Sequence, residues 1–221
     1  MRPAMKRRPL EGGRKSVFLL RHGEVQTASD EKWFIGQTDL PLSERGRRQA
    51  QYWRRWLSGV PLSGIIASDL GRCIETARIL AADRPLAVTL LAGLREIHLG
   101  RWDGMSFRQV FQRWPEQFQR RGMEPARFRP PDGESFLDLR ERVIPLFEKA
   151  VDQSAGHLLV VAHAGVNRII LCHVLGIAPD NLFRIAQGYG AMNRIDRQTA
   201  GYRLHWLNLL PGSCDRCATA S

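Results

Sequence analysis

Short apolar runs alternate with longer amphipathic segments through most of this chain. Residues 17–20 and 158–161 are continuously apolar, and the first belongs to a predicted strand over 16–20. Such unbroken runs are typical of strands that are buried on both faces of a sheet. Four more strands are predicted at residues 65–67, 88–91, 192–196 and 202–209, with the last two around a turn and at a sheet edge.

Between the runs, apolar positions recur at helical spacing. The predicted helices span residues 44–58, 106–119, 136–153 and 167–175, with one more from 70 to 82. Residues suited to helix ends flank them: caps at Ser43, Ser68-Asp69, Ser106 and Ser135 with Asp138, and a closing Gly176. This alternation predicts an α/β protein with a doubly wound, mostly parallel sheet and helices on both faces.

A single domain over residues 16–210 accounts for all of these elements, and a length of 221 residues suits one core. Residues 1–15 carry six basic side chains and one acidic side chain, a net charge of +5, without hydrophobic periodicity. We therefore expect a disordered basic tail over 1–15 and a second tail over 211–221.

Composition and charge narrow the class of protein. The chain is 43% hydrophobic and 25% charged, as in ordinary globular proteins, and its formal net charge is +11. No apolar run approaches the ~20 residues of a membrane span, or the ~7–15 residues of a signal-peptide core. We expect a cytoplasmic protein without a membrane partner. The positive charge suggests anionic partners, or a tail that aids solubility, but the tail lacks the aromatic residues that would stack on RNA bases.

The four cysteines predict neither a disulfide framework nor a metal site. Cys73 and Cys172 lie in apolar helical patterns, where cysteine acts as a small core residue. Cys214 and Cys217 form a C-x-x-C pair, but a structural zinc site needs four ligands and His205 would leave the set one short. We interpret the pair as part of an ordinary tail and expect no metal and no cofactor.

Two of the predicted strands end in similar polar turns. Arg21, His22 and Gly23 follow the first strand, and His163 with Gly165 follows the strand over 158–161. Ligands of open α/β sheets bind at the carboxyl edge of the strands. Two strand ends that each carry a histidine beside a glycine therefore predict a site at this edge.

These residues suit phosphoryl transfer, which needs a nucleophile, cations for the phosphoryl oxygens and an acid for the leaving oxygen. A neutral His22 can attack phosphorus, and Arg21 beside it favours the neutral form. Arg21 and Arg72 offer forked donors that match phosphate. His163, if protonated, adds a cation, and backbone N–H groups at the two helix starts add donors.

Glu96 is the candidate proton donor, because it is an isolated acid in a glycine-flanked loop. Asp103 is a weaker alternative, since Asp-Gly is also a common turn. Each of these residues alone has an ordinary structural explanation: a histidine bonded to backbone, a Glu96 paired with Arg95, a solvated Arg72. Their joint occurrence favours phosphoryl transfer over these separate explanations.

The motifs also resemble those of a known family, the histidine phosphatase (phosphoglycerate mutase-like) superfamily. They occur in the family's order over residues 16–196: Leu19-Leu20-Arg21-His22-Gly23-Glu24, Asp39-Leu40-Pro41-Leu42-Ser43, Ala67-Ser68-Asp69-Leu70 with Arg72, Leu94-Arg95-Glu96 with Gly100-Arg101-Trp102-Asp103-Gly104, Pro131-Asp132-Gly133-Glu134-Ser135 and Val161-Ala162-His163-Ala164-Gly165.

The resemblance implies that His22 is the phosphorylated nucleophile, that Arg21, Arg72 and His163 form the phosphate pocket, and that Glu96 is the proton donor, without a metal. One position departs from the family pattern. The asparagine that often follows the nucleophile by six residues is Ala28 here. A phosphate-contacting amide is therefore missing unless Gln26 or Thr27 substitutes for it.

The short connection between Trp102 and Pro131 and the Gln187…Tyr189…Asn193 stretch look most like alpha-ribazole phosphatase and related small phosphatases. This resemblance implies hydrolysis of a small phosphate ester, such as alpha-ribazole phosphate. The alternatives are a mutase that returns the phosphoryl group to substrate and a binding module without catalysis. Six aromatic residues either cover the pocket or belong to the core: Trp33, Phe34, Trp102, Phe107, Trp114 and Phe128.

Overall fold

The computed structural model describes residues 15–212, and strands and helices alternate through this part of the chain. The strands are β1 (Lys15–Arg21), β2 (Leu62–Ala67), β3 (Val88–Leu90), β4 (His157–Ala162), β5 (Met192–Gln198) and β6 (Gly201–Leu209). The helices are α1 (Glu44–Leu57), α2 (Gly71–Ala81), α3 (Phe107–Arg113), α4 (Pro115–Met123), α5 (Phe136–Gln153) and α6 (Ala164–Leu175). Short 3₁₀ turns lie at Ala92–Leu94, Gly100–Trp102 and Pro179–Arg184.

The strands of residues 15–212 form one mixed sheet in the order β3-β2-β4-β1-β5-β6. Strands β3, β2, β4 and β1 are parallel, whereas β5 is antiparallel to β1 and β6 to β5. The predicted mostly parallel sheet is confirmed. The last two strands form an antiparallel pair at one edge of the sheet, as predicted, with β6 as the edge strand and β5 between β1 and β6.

Both faces of the sheet are covered, which explains the continuous apolar runs. Along β1, Val17 and Leu19 join one core with α5 and α6, whereas Phe18 and Leu20 join a second core with α1 and α2. The second core includes Trp53 of α1, which is fully buried. Each residue of such a strand is apolar because its side chain enters one core or the other.

The predicted caps at Ser106 and Ser135 are confirmed as capping boxes. The helix predicted over 106–119 is instead two helices, α3 and α4, separated at Trp114. Proline disfavours the helical conformation of the residue before it, and Pro115 follows Trp114 here. Pro115 then begins α4, where its missing N–H costs nothing.

The first and last strands lie close to their predicted positions, with β6 at Gly201–Leu209 against a predicted 202–209. Strand β1 begins at Lys15, one residue before the predicted start. The predicted tails fall almost wholly on residues 1–14 and 213–221, which lie outside the described residues, as do Cys214 and Cys217. Across 15–212, none of the helices has both the length and the apolar character needed to cross a membrane.

Candidate active site

Three neighbouring parallel strands bring the site residues to one edge of the sheet. In the register, Arg21 of β1 lies opposite Ala162 of β4, so His22 and His163 leave the sheet at the same level. The His22 and His163 ring centroids are 5.1 Å apart. Ser68 leaves β2 beside them, and its N–H donates to the Val161 carbonyl at 3.0 Å. The predicted meeting of the two histidines is therefore what the structure shows.

The His22 ring is held in one tautomer. Its Nδ1 lies 2.7 Å from the Gly23 carbonyl oxygen, which can only accept, so Nδ1 carries the proton and Nε2 keeps a lone pair. Burial lowers the pKa of His22 well below 6.5, and the Arg21 and Arg72 charges lower that pKa further. The ring is therefore neutral at physiological pH. A side chain at Gly23 would place Cβ 2.4 Å from the Gly46 carbonyl oxygen of α1, so only glycine allows this turn.

Both ring nitrogens of His163 have partners. The Arg72 Nε–H donates to Nδ1 at 3.3 Å, so the proton of the neutral ring is on Nε2, 2.8 Å from the Ser68 hydroxyl oxygen. Burial, and then the charge of Arg72, lower the pKa of His163 well below 6.5. In this structure His163 is a neutral ring rather than the cation considered from the sequence.

Arg72 is fully buried beside His163 and is held by the loop before α1. Its guanidinium donates to the Thr38 carbonyl at 2.8 Å and to the Gly36 carbonyl at 2.5 Å. The Asp39 carboxylate accepts from the N–H groups of Gly71 and Arg72 at 2.6 and 3.4 Å, and so caps α2. The predicted cap from Ser68-Asp69 is wrong, because α2 begins at Gly71, after Leu70.

Asp103 organises the same loop. Its carboxylate accepts from the backbone N–H groups of Gly36, Gln37 and Thr38 at 2.8–2.9 Å, and these residues present the carbonyls that hold Arg72. Asp103 is therefore engaged in the loop and lies away from the cavity described below. The alternative of Asp103 as the acid is not supported by this position.

Glu96 lies against the start of α6 and is almost fully buried. One carboxylate oxygen accepts from the N–H of Ile97 at 3.0 Å, and the other from the N–H of Gly165 at 2.9 Å. A Cβ at Gly165 would lie 2.5 Å from the Glu96 carboxylate, so glycine lets the acid reach the helix end. The N–H groups expected to bind phosphate at the two helix starts are thus partly occupied, by Glu96 at α6 and by Asp39 at α2.

Two arginines fix the Glu96 segment. Arg142 of α5 donates to the carbonyls of Gly93, Arg95 and Glu96 at 2.8–3.1 Å, and pairs with Glu134 at 2.9 Å. Arg95 pairs with Asp69 rather than with Glu96, through two bonds of 2.7 Å that lower the pKa of Asp69. The Glu96 carboxylate is consequently free of any ion pair with the neighbouring Arg95.

Arg21 completes the cluster at the mouth of the site. Its guanidinium donates to the Gln187 carbonyl at 2.7 Å and stacks on the Tyr189 ring, with Cζ 3.7 Å from the ring centroid. The Tyr189 ring also contacts the His22 ring, at 5.6 Å between centroids. Burial lowers the pKa of Arg21 below its usual value. A flat cation beside the His22 ring is suited to a phosphoryl group.

A cavity of about 170 Å³ opens beside the cluster, with Arg21, Glu96 and Tyr189 in its wall. His22, Arg72 and His163 are almost fully buried and do not line it. Four of the six aromatic residues considered from the sequence also line this cavity: Trp33, Phe34, Phe107 and Phe128. Trp102 and Trp114 pack in the core instead. The cavity is therefore mostly apolar, with charged groups at defined points, as is usual for small-molecule sites.

The position of Ala28 bears on the departure from the family pattern. Gln26, Thr27 and Ala28 lie in an exposed segment, and none of them lines the cavity in the described structure. The side chains of Gln26 and Thr27 are exposed in this conformation, unlike the buried His22 ring. No cluster of metal-ligating side chains occurs within residues 15–212.

Several residues of the site were not identified from the sequence, among them Ser68, Asp39 and Arg142. Ser68 was interpreted as part of a helix cap, although its position directly after β2 was a usable signal. Asp39 contacts Arg72, 33 residues away in sequence, and Arg142 contacts Glu96, 46 residues away. No local sequence pattern indicates such contacts.

Comparison with known proteins identifies the family of this chain. The model of the histidine phosphatase superfamily (branch 1) matches residues 17–210. The adenosylcobalamin/alpha-ribazole phosphatase of Escherichia coli K12 is 29% identical, over 85% of this chain and 94% of that protein. Glucosyl-3-phosphoglycerate phosphatase of Mycolicibacterium vanbaalenii is 32% identical, over 76% of this chain and 77% of that protein.

A mutase and a solved structure are also similar. A 2,3-bisphosphoglycerate-dependent phosphoglycerate mutase of Gloeobacter violaceus is 31% identical, over 84% of this chain and 87% of that protein. The crystal structure of the alpha-ribazole phosphatase of Shigella flexneri superposes with a TM-score of 0.80 at 27% identity, over 87% of this chain and 96% of that chain.

His22, His163, Arg21 and Arg72 lie together at the carboxyl edge of an α/β sheet, where ligands of such sheets bind. The chain belongs to the histidine phosphatase superfamily, branch 1. The predicted family, its fold and the assignment to phosphatase enzymes are confirmed.

Proposed function

We propose that this protein hydrolyses a small phosphate monoester in two steps, through a phosphohistidine on His22. The observation that carries the assignment is the different state of the two histidines. Within the described structure, His22 Nε2 has no hydrogen-bond partner, whereas both nitrogens of His163 are engaged. His22 is therefore the ring with a lone pair available to phosphorus.

In the first step, the His22 Nε2 lone pair forms the bond to phosphorus and the bond to the alcohol oxygen breaks. The Gly23 carbonyl accepts from Nδ1–H and so stabilises the positive charge that develops on the ring. Arg21 and Arg72 neutralise the phosphoryl oxygens. His163 holds Arg72 through Nδ1, and a bound phosphate dianion would favour its protonated form.

Glu96 is the proposed acid. It lines the cavity in which we place the alcohol part of the substrate, and its proton passes to the leaving oxygen. In the second step the Glu96 carboxylate takes a proton from water, water oxygen bonds to phosphorus, and the N–P bond electrons return to His22. The same carboxylate therefore serves both steps, as acid and then as base.

The test is to trap the intermediate. Protein mixed with ³²P-labelled 4-nitrophenyl phosphate is quenched in alkali, which preserves phosphohistidine, and the labelled peptide is mapped. We expect the label on His22, its loss in His22→Asn, and its retention in the control His205→Asn on β6. Label on another residue, or turnover by His22→Asn near the normal rate, contradicts the proposal. A binding module would instead keep its ligand affinity in His22→Asn and show no turnover.

Transfer of the phosphoryl group to a second substrate is the alternative, and it is favoured by the similarity to phosphoglycerate mutase. The two activities share the first step and differ in the acceptor. Supplying 3-phosphoglycerate and following the products by ³¹P NMR separates them. Inorganic phosphate is expected from the proposed hydrolase, whereas 2-phosphoglycerate as the main product identifies a mutase.

A further inference from the structure

Two buried amide side chains are paired next to the segment that holds Arg21. The Gln187 carbonyl accepts from Arg21 Nη1 at 2.7 Å, and both Gln187 and Asn193 are almost fully buried. Gln187 Nε2 donates to Asn193 Oδ1 at 2.9 Å, and Asn193 Nδ2 donates back to Gln187 Oε1 at 3.0 Å. The amide pair therefore fixes the residue whose carbonyl binds the Arg21 guanidinium.

The sheet is bulged where Asn193 lies in β5. The register of β5 with β6 shifts at this point, so that two residues of β6, Leu207 and Asn208, oppose Asn193 alone. The Asn208 N–H donates to Asn193 Oδ1 at 2.8 Å, and Asn193 Nδ2 donates to the Leu19 carbonyl of β1 at 3.0 Å. Together with Gln187, these partners use both donors and both lone pairs of the Asn193 amide. The bulge thus lets the sheet hold a fully bonded asparagine at a buried position.

The segment over residues 187–190 depends on the same bulge. Asn208 has a φ of 53°, and its Oδ1 accepts from the Gly188 N–H at 2.7 Å. The segment in turn places Tyr189 against Arg21, with Cζ 3.7 Å from the ring centroid, and the Gly190 N–H donates to the His22 carbonyl at 3.0 Å. Side chains of β5 and β6 therefore set the position of an irregular segment that contacts both Arg21 and His22.

The protein engages only part of the Arg21 guanidinium. Within residues 15–212, Arg21 Nε is buried and has no hydrogen-bond partner. Nε and Nη2 form one edge of a guanidinium, and two parallel N–H groups on one edge match two oxygens of a phosphate. A buried N–H without a partner costs free energy, so this edge indicates a ligand. The Gln187 carbonyl, which holds Nη1, then fixes the direction of that edge.

We propose that Asn193 is a positioning residue for phosphoryl transfer, which acts through Gln187 to hold the Nε edge of Arg21 against the phosphoryl oxygens. The proposal rests on the proposed function, because that function places the phosphoryl group beside His22 and Arg21. Two apolar side chains at positions 187 and 193 would fill the same space without any buried polar group. They would not fix the direction of the Gln187 carbonyl, and this is the role that explains the amides.

A double-mutant cycle with Arg21→Met tests this role, with 4-nitrophenyl phosphate as substrate. Asn193→Leu should lower kcat/KM by about 10–100-fold in the wild-type background, because a misplacement of about 1 Å can cost about 10²-fold. In the Arg21→Met background it should lower kcat/KM by less than about threefold, since the group on which it acts is gone. Competitive inhibition by inorganic phosphate should weaken by about tenfold on Asn193→Leu, again only where Arg21 is present.

Two further variants separate positioning from a general loosening of the sheet. Ser16→Ala removes a buried bond between the same two strands, from Ser16 Oγ to Asp196 Oδ1 at 2.7 Å, at the opposite end of β1. It should leave kcat/KM within about twofold of wild type, at the low end of the effect of one hydrogen bond. Asn208→Gly keeps the positive φ but removes the acceptor for Gly188, and should lower kcat/KM by about three- to tenfold where Arg21 is present. Asn208→Gly replaces Asn193→Leu in the cycle if the latter does not fold.

The outcomes separate the two proposals. Equal fold-losses of kcat/KM in the wild-type and Arg21→Met backgrounds overturn the positioning role, because the network would then support the fold alone. A loss in Ser16→Ala as large as that in Asn193→Leu overturns it as well. Either result leaves the proposed function intact when the ³²P label lies on His22. Label of the wild-type protein on another residue overturns the proposed function itself.

Discussion

Replacing Glu96 by glutamine tests the proposed acid with little change of shape. The side chain keeps its size, but an amide nitrogen must face either the Ile97 or the Gly165 N–H, which now donate at 3.0 and 2.9 Å. One of the two bonds is therefore lost, at a cost of about 1–3 kcal/mol in the free energy of unfolding. The larger effect is chemical, because the amide has no proton to give to the leaving oxygen.

The loss should depend on the leaving group. An alkoxide needs a proton as it departs, so kcat/KM for an alkyl ester such as 3-phosphoglycerate should fall by about 10²–10⁴. Nitrophenolate departs without one, so kcat/KM for 4-nitrophenyl phosphate should fall by less than about tenfold, with phenyl phosphate between. In Glu96→Gln the second step, hydrolysis of the phosphohistidine, also lacks the carboxylate proposed as its base. Rapid-quench measurements should then show a burst of one nitrophenolate per active site followed by slow turnover.

The control is Glu116→Gln on the exposed side of α4, which should retain wild-type kinetics with every ester. An equal loss of kcat/KM for the alkyl and the nitrophenyl ester would refute the reasoning, because it would mean that Glu96 shapes the site without transferring a proton. Absence of a burst in Glu96→Gln would argue against its action as base in the second step.

Three further predictions concern the residues around the reacting groups. Arg142→Met removes the hydrogen bonds to three carbonyls of the Glu96 segment. It should lower the free energy of unfolding in urea by about 2–4 kcal/mol. The loss of kcat/KM should again be larger for alkyl than for nitrophenyl esters. The pKa values of His22 and His163 are lowered in the folded state, so the unfolded chain binds more protons than the folded chain below pH 6.5. The free energy of unfolding should therefore fall as the pH drops from 6.5 towards 5 in phosphate-free buffer. The expected fall is up to about 1.4 kcal/mol per pH unit for each histidine. Gly23→Ala should lower activity by more than about tenfold and cost about 1–3 kcal/mol of stability, because its Cβ would lie 2.4 Å from a backbone oxygen of α1.

Each of these has an outcome that contradicts it. Arg142→Met would fail by losing activity equally for both esters. The pH prediction would fail if the free energy of unfolding were constant, or rose, between pH 6.5 and 5. For the glycine, the control is Gly122→Ala in α4, where a Cβ meets nothing within 4 Å and stability should be unchanged or higher. A Gly23→Ala variant as stable and active as this control would contradict the close-approach argument.

Local patterns in the sequence determined most of the strands and helices. A continuous apolar run such as residues 158–161 buries all of its side chains when helices cover both faces of the sheet. The run therefore predicts a strand, a parallel sheet and a buried position together. The residues that end these strands, His22 and His163, were identified for the same reason, since a parallel sheet brings consecutive carboxyl ends to one edge. Glu96 was identified as an isolated acid in a glycine-flanked loop, and Arg72 as a forked donor that matches phosphate.

Tertiary structure alone decided how those groups are held and in which state. The distinct tautomers of His22 and His163 depend on Gly23, Ser68 and Arg72, and Ser68 and Arg72 lie more than 90 residues from His163. The true cap of α2 is the Asp39 carboxylate from another loop, which a rule based on the preceding residues does not find. Local spacing specifies backbone conformation, whereas burial, charge and hydrogen-bond partners belong to contacts between segments, and these set the chemistry of the site.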